Sequence, residues 1–461
     1  MAHLDRLQDP QALAIVTGQQ VGLFGGPLYT LYKALAVCRM AADLSVAWNR
    51  PVAPVFYLVS EDHDLNEIKW AGYLDRSHQC NKLVFEPRKA GARMPAAQVA
   101  LDDGILTAQK HLAEELPFGA FQTEIFAALA RDYRPGETLA TAFARWSLRL
   151  LGAYGLIILE ASDDRLKQLM APIFRRELEE NLSIPAMLET NQRLAAAGYH
   201  AQLTVQPQRP HLFRLEEGRH SIERAGDGFI NLHNQTRFSL QELLGQPERL
   251  SPKAALRPLV QDWLLPTLAY VGGPGEIAYW AQLKGVYEAF GRPMPIVMPR
   301  PGMTLLEQRA EKWLQKYDLD AEAYITDRET VEDRLRLSVM PAELTEAMAA
   351  VRTPIARHWP ALQTAIEQVD ATLAAPAEKT GAGITHALEQ LEGKVLRAVE
   401  QKEQSRSAHL AALQQSIWPG GQLQERQLNV VPFLCKYGWP LIERLYDEIA
   451  WQEPQHHILT L

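Results

Sequence analysis

Cysteine is scarce in this chain of 461 residues: only Cys38, Cys80 and Cys435 occur, far apart and with no CxxC pair. That argues against a disulfide framework and against a structural zinc site, and for three reduced, mostly buried thiols. Basic tracts are missing as well. Lys and Arg total 47 against 55 Asp and Glu, a formal charge of −8, so nucleic acid is not an expected partner. No apolar run approaches the ~20 residues of a membrane span. The polar start, Met1–Pro10, has no signal-peptide character. A cytoplasmic protein without a membrane partner is the expectation.

What is present is a series of short apolar runs, each ending in a polar or Gly-rich turn and followed by helical spacing. They are Ala12–Val16, Pro54–Val59, Gly155–Leu159, Leu268–Val271 and Pro295–Met298. Continuous apolar runs of this length read as strands buried on both faces. Their alternation with helices predicts an α/β fold with a parallel sheet. Ligands of such sheets bind beyond the carboxyl ends of the strands, so the turns after these runs should converge on one site.

At 461 residues, two or three structural units are expected. The pattern predicts a core over residues 1–326, interrupted by a mostly helical insertion at about 88–145 and a β-rich one at about 198–250 that includes "YHAQLTVQ". From 327 to 418, apolar residues recur at coiled-coil-like 3/4 spacing through Leu344, Met348, Val351 and Ile355, and again from Ile384. This predicts two antiparallel helices, the first kinked at Pro354 and Pro360, with Ala374–Gly383 as the turn. An apolar stripe longer than one hairpin can bury predicts a homodimer. Residues 419–461 are apolar enough to pack back on the core.

Three turns carry candidate chemistry. In "TGQQVGLFGGPLYTLYK", Thr17, Gln19, Gln20, Gly25, Gly26 and Tyr29 surround an expected helix start, where backbone N–H groups favour an anion. Lys33 is one turn beyond Tyr29 and off the expected buried stripe of Leu28, Leu31, Leu35 and Cys38. It can reach back to the loop, and its removal should leave stability nearly unchanged. The loop is neither GxGxxG nor GxxxxGK[ST], and HIGH and KMSKS signatures are absent. The acidic turn Glu61, Asp62, His63 and Asp64 can bind an amine, hold Mg2+ or transfer protons; a dedicated metal centre is not expected. In the third stretch, Arg257, Gln261 and Asp262 precede a strand whose end, Gly272 and Gly273, opens a helix bearing Glu276 and Tyr279. Arg300, after the last apolar run, is suited to a phosphate or carboxylate. Lys33, Asp62, His63 and Asp64 are the catalytic candidates and the remainder are binding candidates.

The blocks "TGQQVGLFGGPLYTLYKA", "PVFYLVSEDHD", "LRPLVQDWLLPTLAYVGGPGEIAYWAQL" and "MPIVMPR", with the tail "FLCKYGWPLIERLY", closely resemble the bacillithiol-biosynthesis cysteine-adding enzyme family, BshC. The resemblance runs over nearly the whole chain. It implies a Rossmann-like core resembling class I nucleotidyltransferases, a coiled-coil domain, and addition of L-cysteine to glucosaminyl-malate in the last step of bacillithiol synthesis. Joining a free carboxylate to an amine is uphill in water, so ATP, with Mg2+, is the expected source of activation. The alternative is a non-catalytic protein that binds a nucleotide or sugar acid and recruits partners through the coiled coil.

Overall fold

The computed structural model describes all residues except 1, 89–90, 92, 328, 332, 334–341, 403 and 454. Two compact units are present: residues 1–304 with 419–459, and residues 305–418 with 460–461.

The strands of the first unit are, in chain order, β1 (Leu13–Gln20), β2 (Val52–Val59), β3 (Trp70–Leu74), β4 (Cys80–Val84), β5 (Ile157–Glu160), β6 (Leu212–Leu215), β7 (Arg219–Ala225), β8 (Gly228–Asn231), β9 (Arg237–Phe238), β10 (Leu250–Pro252), β11 (Thr267–Gly272) and β12 (Ile296–Pro299). All five apolar runs became strands of one parallel sheet, in the order β12-β11-β1-β2-β5. The chain leaves β1 toward β2 on one side and returns to β11 on the other, which creates a switch point between β1 and β11. Ala14, Ile15, Val16, Val55 and Tyr57 are fully buried, as a sheet covered on both faces requires.

The helix Leu28–Trp48 packs on β1 and β2. Its first half is buried all round: not only the expected stripe but also Tyr32, Lys33, Ala34, Ala36 and Val37. The reason is tertiary. The sheet covers one side, and the C-terminal segment covers another: the Leu28 N–H donates to the Leu428 carbonyl and the Arg39 guanidinium reaches the Tyr446 carbonyl.

The first insertion consists of the helices Gly104–Glu115, Gln122–Asp132 and Leu139–Leu151. The second is an antiparallel sheet in the order β10-β6-β7-β8-β9. "YHAQLTVQ", expected as part of it, is not a strand. The Gln202 and Leu203 N–H groups both donate to the Gln282 side-chain oxygen, at 2.9 and 2.8 Å, so a glutamine takes the place of a strand neighbour.

In the second unit, the helices Gln308–Tyr317 and Ala321–Thr326 precede the hairpin. Its arms are Ala342–Val369 and Ala374–Lys402. They run antiparallel: Trp359 lies against Gly381, while the earlier Arg352 bonds the later Glu392 at 2.9 Å. Pro354 and Pro360 lie within a single assigned helix. The expected turn Ala374–Gly383 is helical. Chain reversal occurs instead at Ala371–Leu373, where the Asp370 carboxylate accepts the Thr372 N–H. Pro376 sits in the first turn of the second arm, where a missing N–H is not needed.

Candidate active site

A cavity of about 940 Å3 opens at the carboxyl ends of the parallel strands, within the size range of small-molecule sites. Gln19 and Gln20 reach it from the end of β1. Asp62 and His63 follow β2, Gly273 and Glu276 follow β11, and Arg300 follows β12. Tyr29, Lys33, Arg257 and Tyr279 complete the residues expected there from sequence.

Lys33 is the hub of one wall. Its ammonium donates to the Gly18 carbonyl at 2.5 Å, Gln19 Oε1 at 3.0 Å and Glu276 Oε2 at 2.5 Å, and none of it is exposed. Burial pulls its pKa down, partly offset by the charge and hydrogen bond of Glu276. Glu276 also accepts from the Tyr270 hydroxyl at 2.5 Å and the Gly273 N–H at 2.8 Å. Burial alone would raise the Glu276 carboxyl, but Lys33 and these donors hold it below its ordinary value. Arg257 donates to the Tyr279 hydroxyl at 2.5 Å, and its Nη1 is buried without a hydrogen-bond partner. Such an orphaned donor beside a cavity is a place for an anionic oxygen. Arg300 forms a two-pronged pair with Glu425 and lies 5.4 Å from the Tyr29 ring centre.

The opposite wall carries the acidic turn. Asp62 accepts from the Gln20 amide at 2.5 Å and the His63 N–H at 2.7 Å, and Arg219 lies 3.6 Å away. Burial opposes its charge, yet Gln20 and Arg219 keep the carboxyl below its ordinary value. Burial, then Arg219, push the His63 imidazole down, so the neutral ring is favoured. Its Nδ1, 3.7 Å from Asp62 Oδ1, has no hydrogen-bond partner.

Several expected residues face elsewhere. The Thr17 hydroxyl donates to the Val271 carbonyl and ties β1 to β11. Glu61 is buried in an ion pair with Lys167 and accepts from Ser251 at 2.9 Å. Asp64 caps a short helix by accepting the Asn66 N–H. Gln261 donates to Asp262, and Asp262 also accepts from Tyr287; both are buried. The Gly272 carbonyl accepts the Arg300 N–H. Gly25 and Gly26 form no anion cradle: they take positive φ values of 95° and 74°, and the Gly25 N–H donates to the Tyr133 hydroxyl. The helix start is likewise engaged, since Leu28 donates to Leu428.

The β-rich sheet supplies what sequence reading missed. Phe213, Arg219, Lys253 and His211 all line the cavity. Arg219 lies 4.2 Å over the Phe213 ring and donates to Ser251 and to the Pro252 carbonyl. Burial, with Arg209 and Arg219 nearby, pulls Lys253 down to about 8. Nothing at the local level distinguished these residues from surface positions of an insertion. No His, Cys, Asp and Glu cluster of three suited to a metal occurs among the described residues.

Comparison with known proteins agrees with the architecture. Residues 1–301 match the family described as "Bacillithiol biosynthesis BshC, N-terminal Rossmann-like domain", and residues 303–461 match its C-terminal coiled-coil domain. A protein of Salinibacter ruber named "Putative cysteine ligase BshC" is 35% identical, over 99% of this chain and 84% of that one. Relatives with the same name from Solibacter usitatus (33%; 99% of this chain and 86% of that one) and Koribacter versatilis (34%; 100% and 86%) are similarly close. A solved structure from Campylobacter jejuni, described as a putative arginyl-tRNA synthetase, covers 98% of this chain and 97% of its own, at 9% identity and a TM-score of 0.25, a likeness too weak to bear on function. With both domains matched and relatives alike over almost the full length, the chain belongs to the BshC family of bacillithiol biosynthesis.

Proposed function

We infer that this chain is a cysteine ligase that joins the carboxyl group of L-cysteine to the amine of glucosaminyl-malate, with ATP activating the carboxylate. The observation that carries the reading is the cavity itself. It sets Lys33, Arg257 and Arg300 on one wall and Asp62 with a neutral His63 on the other, in a chain whose relatives are named for cysteine ligation.

Activation places negative charge on the transferring group, and fixed cations aimed at that charge are the strongest stabilisers a protein can offer. The unpartnered Arg257 Nη1 is suited to this role, and Lys33 holds Gly18, Gln19 and Glu276 in place around it. An amine attacks only when unprotonated. Asp62 is an anchor for an ammonium group, and neutral His63 is an acceptor for its proton. Mg2+ enters with the nucleotide rather than in a protein cage. The hairpin of the second unit carries a homodimer contact in this reading.

Purified protein mixed with glucosaminyl-malate, cysteine, Mg2+ and ATP should yield the amide by mass spectrometry, with AMP or ADP formed in equal amount. Ligand binding without amide formation would favour a binding and assembly protein and sink the ligase reading.

A further inference from the structure

The imidazole of His211, just before β6, is a second neutral ring on the cavity wall. Its Nδ1 lies 2.6 Å from Ser183 Oγ, and that hydroxyl donates to Glu177 Oε1 at 2.6 Å. Glu177 further accepts the main-chain N–H groups of His211 at 3.1 Å and of Ser183 at 3.2 Å. Glu177 and Ser183 are fully buried, and His211 is 6% exposed. No described residue hydrogen-bonds to His211 Nε2. A carboxyl, a hydroxyl and an imidazole thus form one chain from the interior to the cavity.

The hydrogens in this chain have two self-consistent arrangements. With Glu177 ionised, Ser183 donates to it and accepts the Nδ1–H of His211, so Nε2 presents a lone pair. With Glu177 protonated, the carboxyl donates to Ser183, Ser183 donates to Nδ1, and Nε2 carries the hydrogen. One proton entering at Nε2 and one leaving from Nδ1 interconvert them, and the ring need never hold a charge.

Amide formation starting from an ammonium group releases two protons, and His63 accounts for one. We propose that His211, Ser183 and Glu177 form a relay that takes the other: Nε2 accepts a proton from the attacking nitrogen, Nδ1–H passes to Ser183 Oγ, and the Ser183 hydroxyl proton passes to Glu177 Oε1. The nitrogen keeps the electron pair that becomes its bond to the acyl carbon, and a buried carboxylic acid remains. The identity of the proton donor rests on the ligase reading; the relay does not.

The electrostatics suit this route. Burial, with Lys253 beside it, pushes the His211 imidazolium down to about 4, which disfavours a charged ring and leaves a neutral conduit intact. Burial pushes the Glu177 carboxyl up against its hydrogen-bond donors, as a proton acceptor needs. The charges facing the chain are Arg224 of β7, which donates to the Glu177 and Leu178 carbonyls, and Lys253 following β10.

Histidine-selective 15N NMR on the intact protein reads the relay directly. On lowering the pH, the ring hydrogen of His211 should move from Nδ1 to Nε2 without an imidazolium pattern, and Glu177→Gln should abolish the exchange. In turnover, Glu177→Gln and Ser183→Ala should lower kcat about a hundredfold with KM nearly unchanged. A His211 ring that keeps one tautomer throughout the titration overturns the proposal. So does wild-type kcat in Glu177→Gln. If the wild-type protein forms no amide at all, the ligase reading fails, and the tautomer exchange alone then decides whether the relay exists.

Discussion

Lys33 shows how far a single residue's meaning depends on its surroundings. By spacing it sits off the apolar stripe, and a solvated lysine there would be worth little. In the fold it is fully buried, and its ammonium carries three hydrogen bonds, one of them to Glu276. Lys33→Ala therefore removes one partner of a buried pair and leaves the Glu276 carboxylate and the Gly18 carbonyl short of a donor. Denaturant unfolding should show a loss of about 3 kcal/mol, against the near-zero change expected from sequence. Lys33→Met, similar in volume, should lose ligation as fully as alanine does. An unfolding midpoint unchanged in Lys33→Ala would contradict the buried network.

At the scale of elements, the turn Leu23–Gly26 is held by the C-terminal segment rather than by a ligand. The Asn429 amide donates to the carbonyls of Leu23, Phe24 and Gly26 at 3.3, 3.1 and 2.7 Å, and its Oδ1 accepts the Val431 N–H at 2.9 Å. One side chain thereby accepts the first N–H of the helix Val431–Tyr437 and satisfies a glycine-rich turn more than 400 residues earlier in the chain. Asn429→Ala should cost about 2–4 kcal/mol, and hydrogen exchange should quicken at the Leu23–Gly26 amides before it does in β1. Uniform protection across both segments would mean that the turn holds its shape without Asn429.

At the scale of the whole molecule, the arm Ala342–Val369 has no buried residue among those described, and Val351, Leu362, Val369 and Leu391 are each about half exposed or more. The hairpin buries little of its own stripe. In the homodimer reading, a second copy covers it. Replacing Ala342–Lys402 by a short linker should give a protein that stays folded but runs as a monomer in light scattering. A truncated protein that remains dimeric would place the contact outside the hairpin.

The parallel sheet was legible in the chain because a strand covered on both faces leaves a mark that needs no partner to be read: a short unbroken apolar run with turns at both ends. The convergence of Gln19, Gln20, Asp62, His63, Glu276 and Arg300 was legible for a related reason, since parallel strands bring all their carboxyl ends to one edge. Which neighbours of those residues turn inward was not legible. Glu61 and Asp62 are adjacent, yet one pairs with Lys167 in the interior and the other lines the cavity. Gly25 and Gly26 read as an anion cradle, but Tyr133 and Asn429 occupy their polar groups. His211, Arg219 and Lys253 carry no local signature, because their importance arises from the β-rich insertion folding over the strand ends. Local pattern specifies where the buried strands run and which edge their turns share. Only the tertiary contacts, made between residues hundreds of positions apart, specify which polar groups are consumed by the protein and which remain for a ligand.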